Sequence, residues 1–204
     1  MLCSGDGGLN WEPGPVITTW RPESEGGLGF GLPSIVALDD QHMVAAGWSA
    51  AESGTLVCES RDGGKTWSAP RVVDTRGSCM HLCLTSHGTL LMSYGHRHPP
   101  YGIRVLPSHD GGSTWDTGLV CELRGDGAMR DLGYPWTIQL SDGRLMCVYY
   151  LNAHDEDKSY YDSDASLAIC EQWRLDPDLY TYRTAGLRFI GATFFSEDEV
   201  IERA

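Results

Sequence analysis

Three stretches of the chain repeat one pattern: an apolar run, a polar turn and a second apolar run. They are Ile35-Val-Ala-Leu-Asp-Asp-Gln41-His-Met43-Val, Leu82-Cys-Leu-Thr-Ser-His-Gly88-Thr-Leu90-Leu, and Ile138-Gln-Leu-Ser-Asp-Gly143-Arg-Leu145-Met. Apolar runs this short, bounded by turn residues, predict paired β-strands rather than helices. Gln41, Gly88 and Gly143 fall at equivalent turn positions. Each stretch reads as the first hairpin of a small sheet, so the pattern predicts several sheets in succession.

A second repeat stands between these hairpins. Ser4-Gly-Asp6-Gly-Gly8-Leu-Asn10-Trp11, Ser60-Arg-Asp62-Gly-Gly64-Lys-Thr66-Trp67 and Ser108-His-Asp110-Gly-Gly112-Ser-Thr114-Trp115 all obey S-x-D-G-G-x-[TN]-W. Their tryptophans are 56 and 48 residues apart, the length of one four-stranded propeller blade. The Asp carboxylate can accept backbone N–H groups of its own turn, Gly-Gly permits a positive φ, and the Trp packs into neighbouring layers. These aspartates are expected to shape turns rather than bind calcium, because the spacing does not match an EF-hand loop. Ser166–Glu171 stands where Leu56–Ser60 and Gly102–Ser108 stand, although Gln172–Asp176 has lost the box.

Composition narrows the function classes. Twenty-five glycines, seven tryptophans and 21% charged residues suit turns and strands, and 28 acidic against 15 basic side chains leave a net charge of −13. That balance excludes a nucleic-acid groove, which needs a basic footprint. The longest apolar runs, Leu90–Met92 and Met146–Tyr150, are far below a membrane span. Met1–Gly8 is small and polar, so no leader is read there and no compartment is assigned. Seven scattered cysteines are expected to be reduced core residues. Cys79, His81 and Cys83 lie close together, but no second Cys/His pair follows at zinc spacing, so neither a metal nor a cofactor is expected.

The repeated boxes resemble the Asp-box (BNR-repeat) propellers of the sialidase superfamily, from about Ser4 to Leu175. Two further segments are similar to bacterial exo-α-sialidase-like proteins: Tyr94-Gly-His-Arg97-His-Pro-Pro100-Tyr-Gly102-Ile-Arg104, and Asp131-Leu-Gly-Tyr134-Pro135 followed by Leu140-Ser-Asp-Gly143 and Tyr149-Tyr150. The resemblance implies an all-β, six-bladed ring, with Trp173-Arg174 closing the domain. It also implies that the later blades are present and the early ones missing. The family's Phe/Tyr-Arg-Ile-Pro element finds its nearest match in Phe30-Gly31-Leu32-Pro33, with glycine in the arginine position.

Blade turns alternate between the two faces of a propeller, and the boxes share one face with the first-to-second turns. A binding site belongs on the opposite face, near the axis. That face is expected to carry Arg21, Glu23, Glu25, Trp48, Glu52, Asp74, Arg76, His81, the Tyr94–Tyr101 loop, the Glu122–Tyr134 segment and His154–Asp157. Arg97 and Arg104, with His96, are the candidate ligands for a sugar carboxylate, since each arginine offers a planar fork of donors. The resemblance casts Tyr134 as a nucleophile, an alternative to the usual two-carboxylate scheme. A phenol needs a neighbouring base; Asp131 is the first choice, with Asp126 and Glu122 in the same segment.

The expected organisation is a partial propeller over residues 1–175, with the end of a blade at about 1–20 and blades at 21–73, 74–120 and 121–175. Residues 176–204 form an extension, either poorly ordered or contributing a strand, Leu187–Phe195, to an open edge. The expected function is exo-hydrolysis of a terminal acidic sugar such as sialic acid, or else non-catalytic glycan binding or a scaffold role. The expected partner is a glycan, with no nucleic acid and no membrane span, and open blade edges would favour self-association.

Overall fold

The repeated hairpins are the inner halves of successive sheets in the computed structural model, which describes residues 1–18, 30–49, 54–152 and 188–202. The first four-stranded sheet runs in chain order through β3 (Gly31–Ala37), β4 (Met43–Ser49), β5 (Gly54–Ser60) and β6 (Arg71–Val73). The second runs through β7 (Gly77–Leu84), β8 (Leu90–His96), β9 (Tyr101–Ser108) and β10 (Cys121–Gly127). A third joins β11 (Gly133–Gln139), β12 (Leu145–Asn152) and β13 (Arg188–Phe195). Before them, β1 (Leu2–Cys3) pairs with β2 (Glu12–Pro13) around the first S-x-D-G-G turn. All pairings are antiparallel.

Each sheet is an up-and-down meander, and β7 touches both β3 and β11. Such meanders, arrayed around their first strands, are blades of a β-propeller. Two apolar layers hold the array together. Val44, Ala46 and Val57 of the first sheet meet Met80, Leu82, Leu90, Met92 and Leu106 of the second. On its other face the second sheet sends Leu91, Ile103 and Val105 against Leu145, Cys147, Tyr149 and Leu151 of the third. The second sheet is therefore covered on both sides, which explains why β8 is buried at every position, Ser93 and His96 included.

The turns have the mechanics expected of them. Ser60 donates to Asp62 at 2.8 Å and accepts the Gly64 N–H at 2.8 Å, while the Asp62 carboxylate accepts the Thr66 N–H at 2.8 Å and hydroxyl at 2.6 Å. Ser108, Asp110 and Thr114 repeat the arrangement, as do Ser4, Asp6 and Asn10. The tryptophans differ. Trp67 and Trp11 donate their indole N–H to Gly64 and Gly8, but the Gly112 carbonyl receives the Arg71 guanidinium from the first sheet. Trp115 packs on the core between the first two sheets, and its buried Nε1 has no partner among the described residues. Trp11, expected to pack, is 59% exposed.

These turns predict a response to acid. Asp6, Asp62 and Asp110 are each held down at about 2: Asp6 by the Asn10 N–H above all, Asp62 by the Thr66 hydroxyl, and Asp110, against some desolvation, by Thr114. A carboxyl depressed in the folded state stabilises it above the unfolded value near 3.8, and loses that contribution as pH falls toward 2. Urea midpoints are expected to drop steeply between pH 4 and 2. The drop should be shallower in a Thr66→Val, Thr114→Val double variant, which lacks the two hydroxyl donors.

The third sheet is completed by the strand that is one of the two readings of residues 176–204. Ser166–Glu171 lies outside the described residues, and the edge of β12 facing away from β11 is occupied by β13, in unbroken register from Leu145↔Phe195 to Asn152↔Arg188. Arg188–Phe195 contains no proline and is rich in aromatic and β-branched side chains, which suits a full ladder. Helix α1 (Glu197–Glu202) follows at once. Ser196 and Glu199 cap it reciprocally, the Ser196 N–H donating to Glu199 at 2.7 Å and the Glu199 N–H to the Ser196 hydroxyl at 3.2 Å. Val200 drops into the core between the second and third sheets, and Glu197 meets His87 at 3.0 Å.

Candidate functional site

The innermost strands β3, β7 and β11 share an irregularity. Each has a register shift near its start, between Gly31 and Ser34, Ser78 and His81, and Gly133 and Trp136. Within each shift one non-glycine residue takes a left-handed backbone: Leu32 at φ 51°, Cys79 at 54° and Tyr134 at 48°. Such a conformation costs about 1–2 kcal/mol for an L-residue. Its recurrence in three sheets makes it part of the blade design rather than a peculiarity of one. In chemical terms the bulge turns these three side chains toward a common cleft of about 420 Å³, lined by Leu32–Ile35, Cys79–His81 and Tyr134–Trp136.

Tyr134 is 57% exposed and Trp136 64%, whereas Cys79 is only 5% exposed. Arg97, from the loop after β8, reaches the same place. Its guanidinium lies 5.8 Å from the centre of the Tyr134 ring, its Nε donates to the Leu132 carbonyl at 3.0 Å, and Nη2 donates to the Cys79 sulfur at 3.6 Å. The Cys79 sulfur pushes the Tyr134 phenol above its ordinary value, and Arg97 pulls the other way. Trp136 rests on the His81 ring, with centroids 4.3 Å apart.

The other expected ligands are placed elsewhere. Arg104 lies on β9, within 3.4 Å of Glu122 on the adjoining strand, and beside Tyr94, whose buried phenol is pushed up to about 12. His96 is buried, with its Nδ1 at 3.1 Å from the Pro100 carbonyl, and burial holds its pKa below the ordinary imidazole value. Its bond to Pro100 ties the ends of the 97–99 turn together. Neither residue lines the cleft at Tyr134, and neither touches the Tyr134 ring as Arg97 does.

All three carboxylates weighed as bases are paired with an arginine. Glu122 meets Arg104 at 3.4 Å, Asp126 is held in a fork by Arg124 at 2.5 and 2.8 Å, and Asp131 meets Arg188 at 2.8 Å. Asp131 also bonds the Tyr150 phenol, whose pKa is raised by burial first and by Asp131 second. Arg21, Glu23, Glu25, Glu52, His154–Asp157 and Trp173-Arg174 lie outside the described residues. Trp136 was not singled out by sequence reasoning, and Cys79 was weighed there only as a metal ligand. The shared Gly-x-Pro of Gly31-Leu32-Pro33 and Gly133-Tyr134-Pro135 is the signal that points to two of the three bulges.

The BNR repeat-like domain family matches residues 1–147. No curated protein matches the chain. Among solved structures, a protein of unknown function from Dyadobacter fermentans DSM 18053 is 32% identical, with a TM-score of 0.63; the match covers 74% of this chain and 41% of that one. A thermostable family-43 glycoside hydrolase is 15% identical over 62% of this chain and 43% of its own, with a TM-score of 0.47. The GH93 alpha-L-arabinofuranosidase of Fusarium graminearum, solved with arabinobiose, is 20% identical over 79% and 50%, with a TM-score of 0.48. The chain thus spans less than half of the Dyadobacter protein's length. With a family match over well above half of its residues, and the repeated turns and meanders inside that match, the chain belongs to the BNR repeat-like domain family.

Proposed function

We propose that the axial cleft is a glycan-binding site that takes a terminal acidic sugar. The carrying observation is Arg97, a guanidinium held against the ring of Tyr134, which lines a cleft of mainly apolar and aromatic side chains. Aromatic faces suit the C–H faces of a sugar ring, and a guanidinium suits a carboxylate. On a chain of net charge −13, such a local cation is what draws an anionic ligand.

Hydrolysis is the second reading, favoured by the exposed Tyr134 phenol at the mouth of the cleft. In that reading the Tyr134 oxygen attacks the anomeric carbon as its proton passes to Asp131 and the glycosidic C–O bond breaks, the aglycone oxygen taking a proton from water; a second water then cleaves the tyrosyl–sugar bond and restores the phenol. The ion pairs of Asp131, Asp126 and Glu122 count against it, since each carboxylate must first leave its arginine. Calorimetric binding of sialyllactose and lactose, beside a fluorogenic sialoside assay, separates the readings. Binding without turnover supports the first, turnover the second, and neither sinks both. Arg97→Ala is expected to weaken acidic-sugar binding by about ten- to a hundredfold, the loss of a charge-assisted bond of roughly 1.5–3 kcal/mol, and to leave neutral sugars unaffected.

A further inference from the structure

An innermost strand has a neighbour on one side only, so its outward N–H groups need partners from another sheet. Two of them find one in the same way. The Leu82 N–H of β7 donates to the Ser34 hydroxyl of β3 at 3.0 Å, and the Thr137 N–H of β11 donates to His81 Nδ1 of β7 at 3.2 Å. Ser34 and His81 each stand two residues after a left-handed residue, and Leu82 and Thr137 each stand three residues after one. The two contacts are therefore the same joint, used once between the first and second sheets and once between the second and third.

The joints differ in chemistry. A serine hydroxyl accepts at any pH, whereas an imidazole nitrogen accepts only while it carries a lone pair. His81 is also the ring on which Trp136 rests, 4.3 Å away, and it lines the cleft itself. We propose that His81 is the positioning residue of the axial cleft, its neutral ring holding both the start of β11 and the Trp136 wall in place for a sugar ring. This rests on the glycan reading of the cleft.

Acceptance by Nδ1 fixes the Nε2–H tautomer. A proton on Nδ1 turns the acceptor into a donor facing the Thr137 N–H, so the joint is lost and the ring moves away from Trp136. Burial alone holds His81 below the ordinary 6.5, with no charged neighbour contributing. Of the strands against β7, β3 and β4 carry no ionisable side chain. β5 carries Cys58 and Glu59, the latter committed to Arg61 and Arg71. β8 carries Tyr94 and His96, β11 carries Tyr134, and Cys79 and Cys83 lie on β7 itself. A depressed folded pKa means that protonation opposes the folded joint, so the joint weakens as pH falls below 6.5.

The test uses the full chain and His81→Asn, whose side-chain carbonyl stands where Nδ1 stands and does not titrate. In nitrogen-15 spectra of the wild type, the Thr137 amide and the Trp136 indole are expected to shift together along one titration below pH 6.5. In His81→Asn neither should. Affinity for N-acetylneuraminic acid is expected to fall at least fivefold from pH 7.5 to 5.0 in the wild type, and less than twofold in the variant. Resonances that ignore pH, or that titrate equally in both proteins, overturn the proposal, as does an equal loss of affinity in both. If the resonances behave as expected and the sugar binds at neither pH, the positioning role of His81 stands and the glycan reading of the cleft falls.

Discussion

Gly95→Ala is expected to lower the melting temperature and to damage the axial cleft in the same step. A Cβ on Gly95 would lie 2.8 Å from the Gly133 Cα and 3.2 Å from the Leu132 carbonyl oxygen. Both obstacles are backbone, so neither can rotate aside, and β8 has to move away from the start of β11. Overpacking of this kind costs about 1–3 kcal/mol, which for a chain of this length is a fall of roughly 3–10 °C. The displaced segment contains Leu132, whose carbonyl anchors Arg97, and it leads directly into Tyr134. Sugar binding should therefore fall further than stability alone explains, as calorimetry on the folded variant at 20 °C will show. Gly5→Ala is the control, since nothing stands within 4 Å of a Cβ there, and it should behave as the wild type does.

Tyr134→Phe carries the second large effect, and its sign separates the two functional readings. The ring stays, together with its contact to Arg97, and only the phenolic oxygen goes. Because Tyr134 is 57% exposed, the melting temperature should hold. If the protein turns over sialosides with Tyr134 as nucleophile, the rate should drop roughly a thousandfold or more, with binding nearly intact, as expected when a nucleophile is deleted. Retained turnover in this variant would remove Tyr134 from the chemistry. The neighbours of the phenol matter here: the Cys79 sulfur opposes its ionisation and Arg97 assists it. A hydrolase built on this site has to recruit a carboxylate now paired with arginine.

The three sheets were legible because their signals are local. A strand, a five-residue turn and a second strand fall within about twenty residues, and the S-x-D-G-G turns announce the far ends of the first two sheets. The third strand of the last sheet was legible only as one of two alternatives. Arg188–Phe195 is separated from β12 by thirty-five residues and follows no box, and only the ladder itself assigns it. In the site, Arg97 stood out by its residue type and Tyr134 through the family resemblance, and the two side chains lie together, the guanidinium 5.8 Å from the ring centre. The pairing of Arg104 with Glu122 depends on the register of β9 against β10, which a bulge shifts, so spacing alone did not reveal that Arg104 was already engaged. The bulges at Leu32, Cys79 and Tyr134 were hidden for a similar reason. Two are spelled Gly-x-Pro, but the middle one reads Ser78-Cys79-Met80, and the likeness is in backbone angle rather than in letters.

The joints at Ser34 and His81 also bear on how such a chain can be recombined. Propellers invite the idea that blades are interchangeable modules, to be duplicated, deleted or shuffled. Here the acceptor sits in one blade and the donor in the blade after it, so the unit of exchange is the seam rather than the blade. A copy of the first blade set before the third would offer Thr137 a serine, and the third blade would lose its sensitivity to acid while keeping its seat. A copy of the third blade set before another would offer Trp136, whose indole can donate but not accept in that way. The next blade would then have to find its register by shape alone. Lineages that lengthen or shorten this ring therefore inherit a constraint two residues beyond each bulge, and libraries built from its blades should be cut there.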